Sequence, residues 1–411
     1  MKLVFLLLSS LFYVLSYSPF NFKILIFLSF IILFIIIENL TFKKKSLYLF
    51  YYAFLVHLVG VSWVSQSLLN YGSLDYFGSI FITLMFIIII SIPYAFIGLF
   101  NLQIRRNSIF DINLFALLFV AAEFIKSITF GGFPWLLVGH SQSETIFNFI
   151  YPNFGSYAVT YIVIFLSAII SKCYFYDKKS SIILIVIFPL TYYLLPVPYS
   201  NKISSHEKVS FTIYQPNIYP KDSYDSSKHS KIQKKYIDFL NKKISTDLVI
   251  LPETIVTYEL LKSNSLYKKI RDITNNDNIV VAGLFTKEND KYYNSMVFFS
   301  QQIDIYNKRK LVPFGEYTPW YNTVIKLAEV LNIPLSNLSH GLEKQKNIYF
   351  KDIKIIPVIC FESAYPDLIN STHNKEVIVN ISNDSWFGDS LAPYQHLQIS
   401  QVRALEFNRF I

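Results

Sequence analysis

Ile353-Lys-Ile-Ile-Pro-Val-Ile-Cys360-Phe361-Glu362 decides how the second half of this chain is read. Its β-branched residues Ile353, Ile355, Ile356, Val358 and Ile359 favour a strand covered on both faces. Cys360 ends that strand, at the rim where α/β folds place their chemistry, and Glu362 follows two positions on. Taken alone, Cys360 reads equally well as a small buried hydrophobe and as a nucleophile. The rest of the chain has to choose.

Outward from this strand the composition breaks in two. Of 411 residues 53% are hydrophobic and 18% aromatic, high for a soluble protein, while 16% are charged. Up to about residue 197 one apolar stretch follows another; beyond about 203 the composition is that of an ordinary globular domain. The expectation is an α-helical transmembrane domain over 1–200 and a water-facing α/β domain over 205–411. The formal charge of +9 does not imply nucleic acid. The lysines are scattered, only Lys43-Lys44-Lys45 forms a tight run, and no nucleic-acid motif accompanies them. Cys173 and Cys360 are the two cysteines, too far apart in character for a disulfide framework. No cofactor or metal is expected.

Apolar stretches near 3–20, 24–39, 47–69, 77–101, 109–128, 155–172 and 180–197 read as about seven spans. Lys2, the 43–45 run, Arg105 with Arg106, and Lys172 with Lys178 and Lys179 fall in alternate loops. By the positive-inside rule the N-terminus is cytoplasmic and the α/β domain extracytoplasmic. The loop Gly131-Gly-Phe-Pro-Trp135-Leu-Leu-Val-Gly-His-Ser-Gln142-Ser is either an interfacial turn with an aromatic belt or an element shaping lipid access. Glu123, within the preceding span, is a functional hint by its depth, unless it reaches water at the segment's end.

From Val209 the pattern alternates strand and helix. Strands are expected at 209–214, 247–251, 278–284, 292–299, 303–307, 353–359 and 376–381, with helices near 231–244, 259–274, 361–370 and 394–408. This is a layered α/β domain. Glu253 follows one strand, Lys308 another, and Cys360 ends a third. If those strands are neighbours, a carboxylate, an ammonium and a thiol meet at one rim. The carboxylate can act as base toward the thiol, and the ammonium can stabilise the oxyanion formed when the thiolate attacks a carbonyl. Each residue also has a plain structural reading: Glu253 as a helix N-terminal charge, Lys308 as part of a basic cluster. All three readings failing to matter together is the less economical account.

Leu251-Pro-Glu253-Thr, Tyr306-Asn-Lys308-Arg-Lys-Leu-Val-Pro-Phe-Gly-Glu316-Tyr and Ile359-Cys360-Phe-Glu362 resemble the Glu-Lys-Cys framework of the nitrilase superfamily. Phe133-Pro-Trp135-Leu-Leu-Val-Gly-His-Ser-Gln142 and Ser382-Asn-Asp-Ser-Trp386-Phe-Gly narrow the resemblance to its membrane-embedded branch, the apolipoprotein N-acyltransferase family. The resemblance implies a nitrilase-like αββα sandwich after the transmembrane helical bundle, and a bacterial inner-membrane location with the catalytic domain on the periplasmic side. It implies a phospholipid acyl donor, a diacylglyceryl-cysteine apolipoprotein acceptor and a ping-pong reaction through a cysteine thioester. Carried across, Cys360 is the nucleophile, Glu253 the base and Lys308 the oxyanion-stabilising cation. Glu316 orients the amine or the lysine, and Glu362 supports the nucleophile. Trp135, Gln142, Tyr224, Trp320 and Trp386 are candidates for substrate binding or a lipid portal; Tyr224 stands where the family has tryptophan. Family members continue past residue 411 through further sandwich strands and a final span, so the chain reads as truncated at its C-terminus.

Within 318–341, Val324, Leu327, Val330 and Leu331 share one helical face behind Trp320, which suits either core packing or a lid leaning on the bilayer. The competing functions are a membrane-tethered amidase, in which water resolves the thioester, and an inactive truncated scaffold. A transporter would need paired interrupted helices with buried charges, a pattern this sequence lacks.

Overall fold

The computed structural model describes residues 1–71, 74–100, 102–104, 109–176, 187–198, 209–242, 244–260, 264–274, 278–318, 337–369, 371 and 375–411. The chain divides into two units. One comprises Met1–Ser65, Phe77–Lys202 and Ser390–Asn408, the other Gln66–Tyr76, Ile203–Asp389 and Arg409–Ile411.

The first unit is helical, with α1 (Lys2–Leu15), α2 (Leu25–Ile37), α3 (Phe42–Gly60), α5 (Tyr76–Ile97), α6 (Ile109–Ile128) and α7 (Tyr151–Tyr176); α4 (Val64–Tyr71) follows α3. Each of the seven apolar stretches contains helix. Spanning length is rarer. Among the described residues two helices can cross a membrane by length and composition, Tyr76–Phe100 and Tyr151–Tyr176, and a third if α3 and α4, bent by 50° at their break, form one span. The α1 and α2 helices are apolar but short, and α6 carries Asp111, Glu123 and Lys126.

Between α6 and α7 the backbone at 135–139 forms no long helix, and its polar groups are taken up by side chains of the helices around it. Lys126 Nζ donates to Trp135 O at 2.7 Å, Tyr13 Oη to Leu136 O at 2.7 Å and Tyr17 Oη to Leu137 O at 2.7 Å. Glu123 accepts from Val138 N at 2.7 Å, and Gly139 N donates to Thr160 Oγ1 at 2.8 Å. Irregular backbone survives among apolar helices only when its N–H and C=O groups are met in this way. A side chain at 139 would drive its Cβ to 2.1 Å from Ser156 O, so glycine is required for the loop to lie against α7. Glu123 thus serves this loop and does not reach water; it is fully buried and also accepts from Thr160 Oγ1 at 2.9 Å.

Helix Ala392–Phe407 belongs by its contacts to this first unit, although it lies within the 205–411 stretch read from sequence as one domain. Gln395 Oε1 accepts from the indoles of Trp63 and Trp135 at 3.1 and 3.0 Å, and its amide donates to Gly60 O. Buried Arg403 pairs with Glu406 and meets His140 Nε2 at 3.0 Å.

Among the described residues the second unit holds two sheets. The five-stranded sheet runs in the order β1 (Phe211–Ile213), β2 (Leu248–Ile250), β3 (Ile279–Glu288), β4 (Lys291–Phe299), β5 (Ile303–Asn307), parallel from β1 to β3 and antiparallel from β3 to β5. The second sheet is β6 (Ile348–Phe350), β7 (Ile353–Ile359), β8 (Glu376–Ile381), with β7 and β8 parallel. Alternation along the strands assigns two faces. Val280, Ala282, Val297 and Phe299 pack with Ile232, Tyr236 and Leu240 of helix His229–Leu240 and with Leu266 and Ile270 of helix Ser265–Thr274. Ile279, Val281, Met296 and Phe298 pack instead with Ile355, Ile359, Val379 and Ile381 of the other sheet. Two mixed sheets face to face with helices outside the larger one make the α/β sandwich.

One local expectation fails, and one strand was not expected. The helix expected near 361–370 is absent over its described residues 361–369, where the chain makes two 3-10 turns, Cys360–Ala364 and Pro366–Leu368. Pro366 lacks the N–H a continuing helix would need and disfavours helical geometry at Tyr365 before it. The three-residue strand β6 also escaped notice, being too short for periodicity to register.

Candidate active site

Three strand ends deliver the reactive groups, but they are not neighbours. Glu253 follows β2 and Lys308 follows β5, three strands apart in one sheet, while Cys360 follows β7 in the other. Stacking the sheets brings Cys360 toward the other two, which share one sheet.

Glu253 is brought in by a close backbone crossing. Gly283 N donates to Pro252 O at 3.0 Å and Ile255 N to Gly283 O at 2.9 Å. A Cβ at 283 would fall 2.5 Å from Glu253 Cα, which excludes any side chain there. Sequence reading overlooked Gly283, although a glycine inside a strand often marks such an approach.

Lys308 is buried, with 1% of its side chain exposed, and pairs with Glu253 Oε1 at 3.2 Å and Glu316 Oε1 at 2.9 Å. Burial opposes its charge, but the carboxylates of Glu253 and Glu316 outweigh that cost. Its ammonium is held well above the ordinary lysine range. Asn294, on β4, donates from the same Nδ2 to Glu253 Oε1 at 2.7 Å and to Glu316 Oε1 at 2.6 Å. Glu253 Oε2 accepts from Asn383 N at 3.0 Å, and Glu316 Oε2 from Val312 N at 2.7 Å. Asn294 was also missed, though a polar Asn-Ser pair inside the apolar run of β4 was the available signal.

Cys360 is buried and has φ +51°, a left-handed conformation that non-glycine residues adopt at some cost. Its N–H is held by Asn380 Oδ1 of the adjacent β8 at 3.1 Å. Burial pushes the thiol well above its ordinary pKa, and the Glu253 charge pushes it further; Lys308 pulls the other way. At neutral pH the group is therefore a thiol, and it needs a base to become a nucleophile.

Glu362, read as a support of the nucleophile, spends its oxygens on the turn that carries Cys360 and on the chain past Lys308. It is fully buried and accepts from the N–H groups of Ile359, Arg309 and Lys310 at 2.9, 2.6 and 3.1 Å, and from Tyr306 Oη at 3.1 Å. It ties the Cys360 turn to the chain just past Lys308. Burial raises its pKa despite those donors.

The remaining candidates separate. Tyr224 and Trp386 meet edge to face with centroids 5.9 Å apart, Tyr224 exposed. Trp135 and Gln142 are buried, which does not suit a lipid portal. Trp135 is committed to Gln395, and Gln142 donates to Lys23 O at 3.1 Å and accepts from Tyr192 Oη at 2.8 Å. Trp320 and most of the expected lid lie outside the described residues.

Residues 212–411 match the carbon-nitrogen hydrolase family model. Residues 9–169 match the model described as the apolipoprotein N-acyltransferase N-terminal domain. The chain is 31% identical over 366 residues to the apolipoprotein N-acyltransferase of Coxiella burnetii, covering 86% of this chain and 75% of that protein. It is 26% identical over 407 residues to the enzyme of that name from Methylococcus capsulatus, covering 96% and 80%. The chain belongs to the apolipoprotein N-acyltransferase family.

Proposed function

We propose that the protein transfers a fatty acyl chain from a membrane phospholipid to the α-amino group of a diacylglyceryl-cysteine apolipoprotein, through a thioester on Cys360. The observation that carries this reading is the buried Glu253–Lys308 ion pair, whose two charges are both felt at the buried Cys360 thiol. Glu253 takes the thiol proton, and the sulfur attacks the ester carbonyl of the donor. Lys308 stabilises the tetrahedral oxyanion. Cys360's own N–H is already held by Asn380 and does not contribute. Collapse breaks the ester C–O bond, and the departing lysophospholipid oxygen takes the proton back from Glu253. In the second half the acceptor amine attacks the thioester, Glu253 accepts a proton from that nitrogen, and the sulfur leaves to be reprotonated as the thiol. Splitting the transfer into two acyl steps lowers each barrier.

The expected result with phospholipid vesicles alone is an acyl adduct on Cys360, sensitive to neutral hydroxylamine, with one lysophospholipid released per adduct. Mass spectrometry that finds lysophospholipid without an adduct would remove the covalent mechanism.

The alternating lysines and arginines of the loops support an extracytoplasmic catalytic unit in the bacterial inner membrane. A reporter joined after residue 205 should be active only outside the cytoplasm, and one joined after Lys45 only inside. Opposite behaviour at either position contradicts this orientation.

A further inference from the structure

We infer that Asn294 is a positioning residue for the transfer reaction. Its amide closes a ring of alternating donors and acceptors that holds both carboxylates in place around Lys308 and leaves one ammonium N–H for the oxyanion. The inference deepens the acyl-transfer reading and rests on it.

The ring is explicit in four contacts. Lys308 Nζ donates to Glu253 Oε1 at 3.2 Å and to Glu316 Oε1 at 2.9 Å; Asn294 Nδ2 donates to the same two oxygens at 2.7 and 2.6 Å. Two carboxylates on one buried cation repel each other, and each favours protonation of its neighbour. Placing a neutral double donor opposite the cation relieves that repulsion without adding charge. An ammonium has three N–H donors, of which the carboxylates occupy two. Without Asn294 either acid could draw the third.

Only asparagine suits the position. Its NH2 has two hydrogens, one for each acid, where a hydroxyl would have one and a carboxylate none. The opposite amide atom testifies to what this orientation costs. Asn294 Oδ1 is buried and has no hydrogen-bond partner among the described residues. A flipped amide would set that oxygen against two carboxylates, so the fold tolerates an unmet acceptor to retain the two charge-assisted bonds. The backbone joins in, since Asn294 O accepts from Lys308 N at 2.8 Å and fixes the lysine's starting point.

The test compares the unsubstituted protein with Asn294→Ala and Asn294→Asp. Two rates are followed against pH by mass spectrometry of the Cys360 peptide: alkylation by iodoacetamide, and acyl loading from vesicles of phosphatidylethanolamine and phosphatidylglycerol. Both variants should load at least about tenfold more slowly, with KM for phospholipid within twofold, because Asn294 does not touch the donor. The acidic limb of both rates should move to higher pH in Asn294→Ala, since a carboxylate deprived of a donor holds its proton more tightly. A purely structural role would lower the melting temperature and leave the pH profiles in place. Profiles that superimpose with rates within twofold overturn the inference, as does a raised KM with unchanged kcat. Should Asn294→Ala not fold, the isosteric Asn294→Asp carries the comparison. If the unsubstituted protein alkylates at Cys360 but never loads an acyl chain, the transfer reading fails. The iodoacetamide profiles still report whether Asn294 sets the state of the cluster.

Discussion

Replacing Cys360 by serine is expected to cut acyl transfer about a thousandfold or more, and replacing it by alanine to abolish the adduct. The reason lies in the base. Glu253 is a carboxylate whose oxygens are already engaged by Lys308, Asn294 and Asn383 N. Such a base can take a proton from a thiol, even one pushed upward by burial, far more readily than from an alcohol. Serine preserves the packing between the sheets, so the variant should fold and melt close to the parent. Transfer kinetics and adduct mass measured together decide the matter: undiminished turnover in either variant would mean that Cys360 is only a core residue, the bland reading its sequence also permits.

Lys308→Met should slow acylation of Cys360 by about a hundredfold or more, the scale of a lost oxyanion donor. Stability should suffer too. The substitution leaves Glu253 and Glu316 buried without their cation, and breaking a buried pair costs about 3–5 kcal/mol. Lys310→Met is the control. That ammonium lies 4.5 Å from the centroid of the Tyr365 ring and touches neither carboxylate, so loading should stay within about threefold. Equal losses at 308 and 310, measured at a temperature where both variants are folded, would withdraw the assignment of Lys308.

The proposed trio of Glu253, Lys308 and Cys360 could be picked out because each member sits at the end of a strand whose apolar run identifies it. The larger sheet followed from the same patterning. What could not be read was how strand ends meet. The expectation of neighbouring strands failed because β7 reaches Lys308 from a second sheet, and sheet stacking leaves no periodic trace. Gly283 and Asn294 carry no reactive group, so motif reading passes over them, yet one admits the Glu253 backbone and the other joins its carboxylate to Glu316. Glu362 looked like chemistry because it lies two residues past the nucleophile, but its oxygens are spent on backbone donors. Trp135 and Gln142 looked like a lipid-facing surface because aromatic and polar residues near a membrane boundary usually are; burial inside the helical unit reassigns them.

The clamp on residues 135–139 bears on how the protein is made. Tyr13 and Tyr17 donate to carbonyls 123 and 120 positions further along the chain. At synthesis rates of ~5–20 residues per second, those partners emerge roughly 6–25 s after the tyrosines. During that interval α1 carries two phenols whose eventual acceptors do not yet exist. It therefore has reason to linger at the headgroup level, where water serves the hydroxyls, and to sink only when Leu136 and Leu137 arrive. A helix made well before its acceptors is then late to reach its final depth.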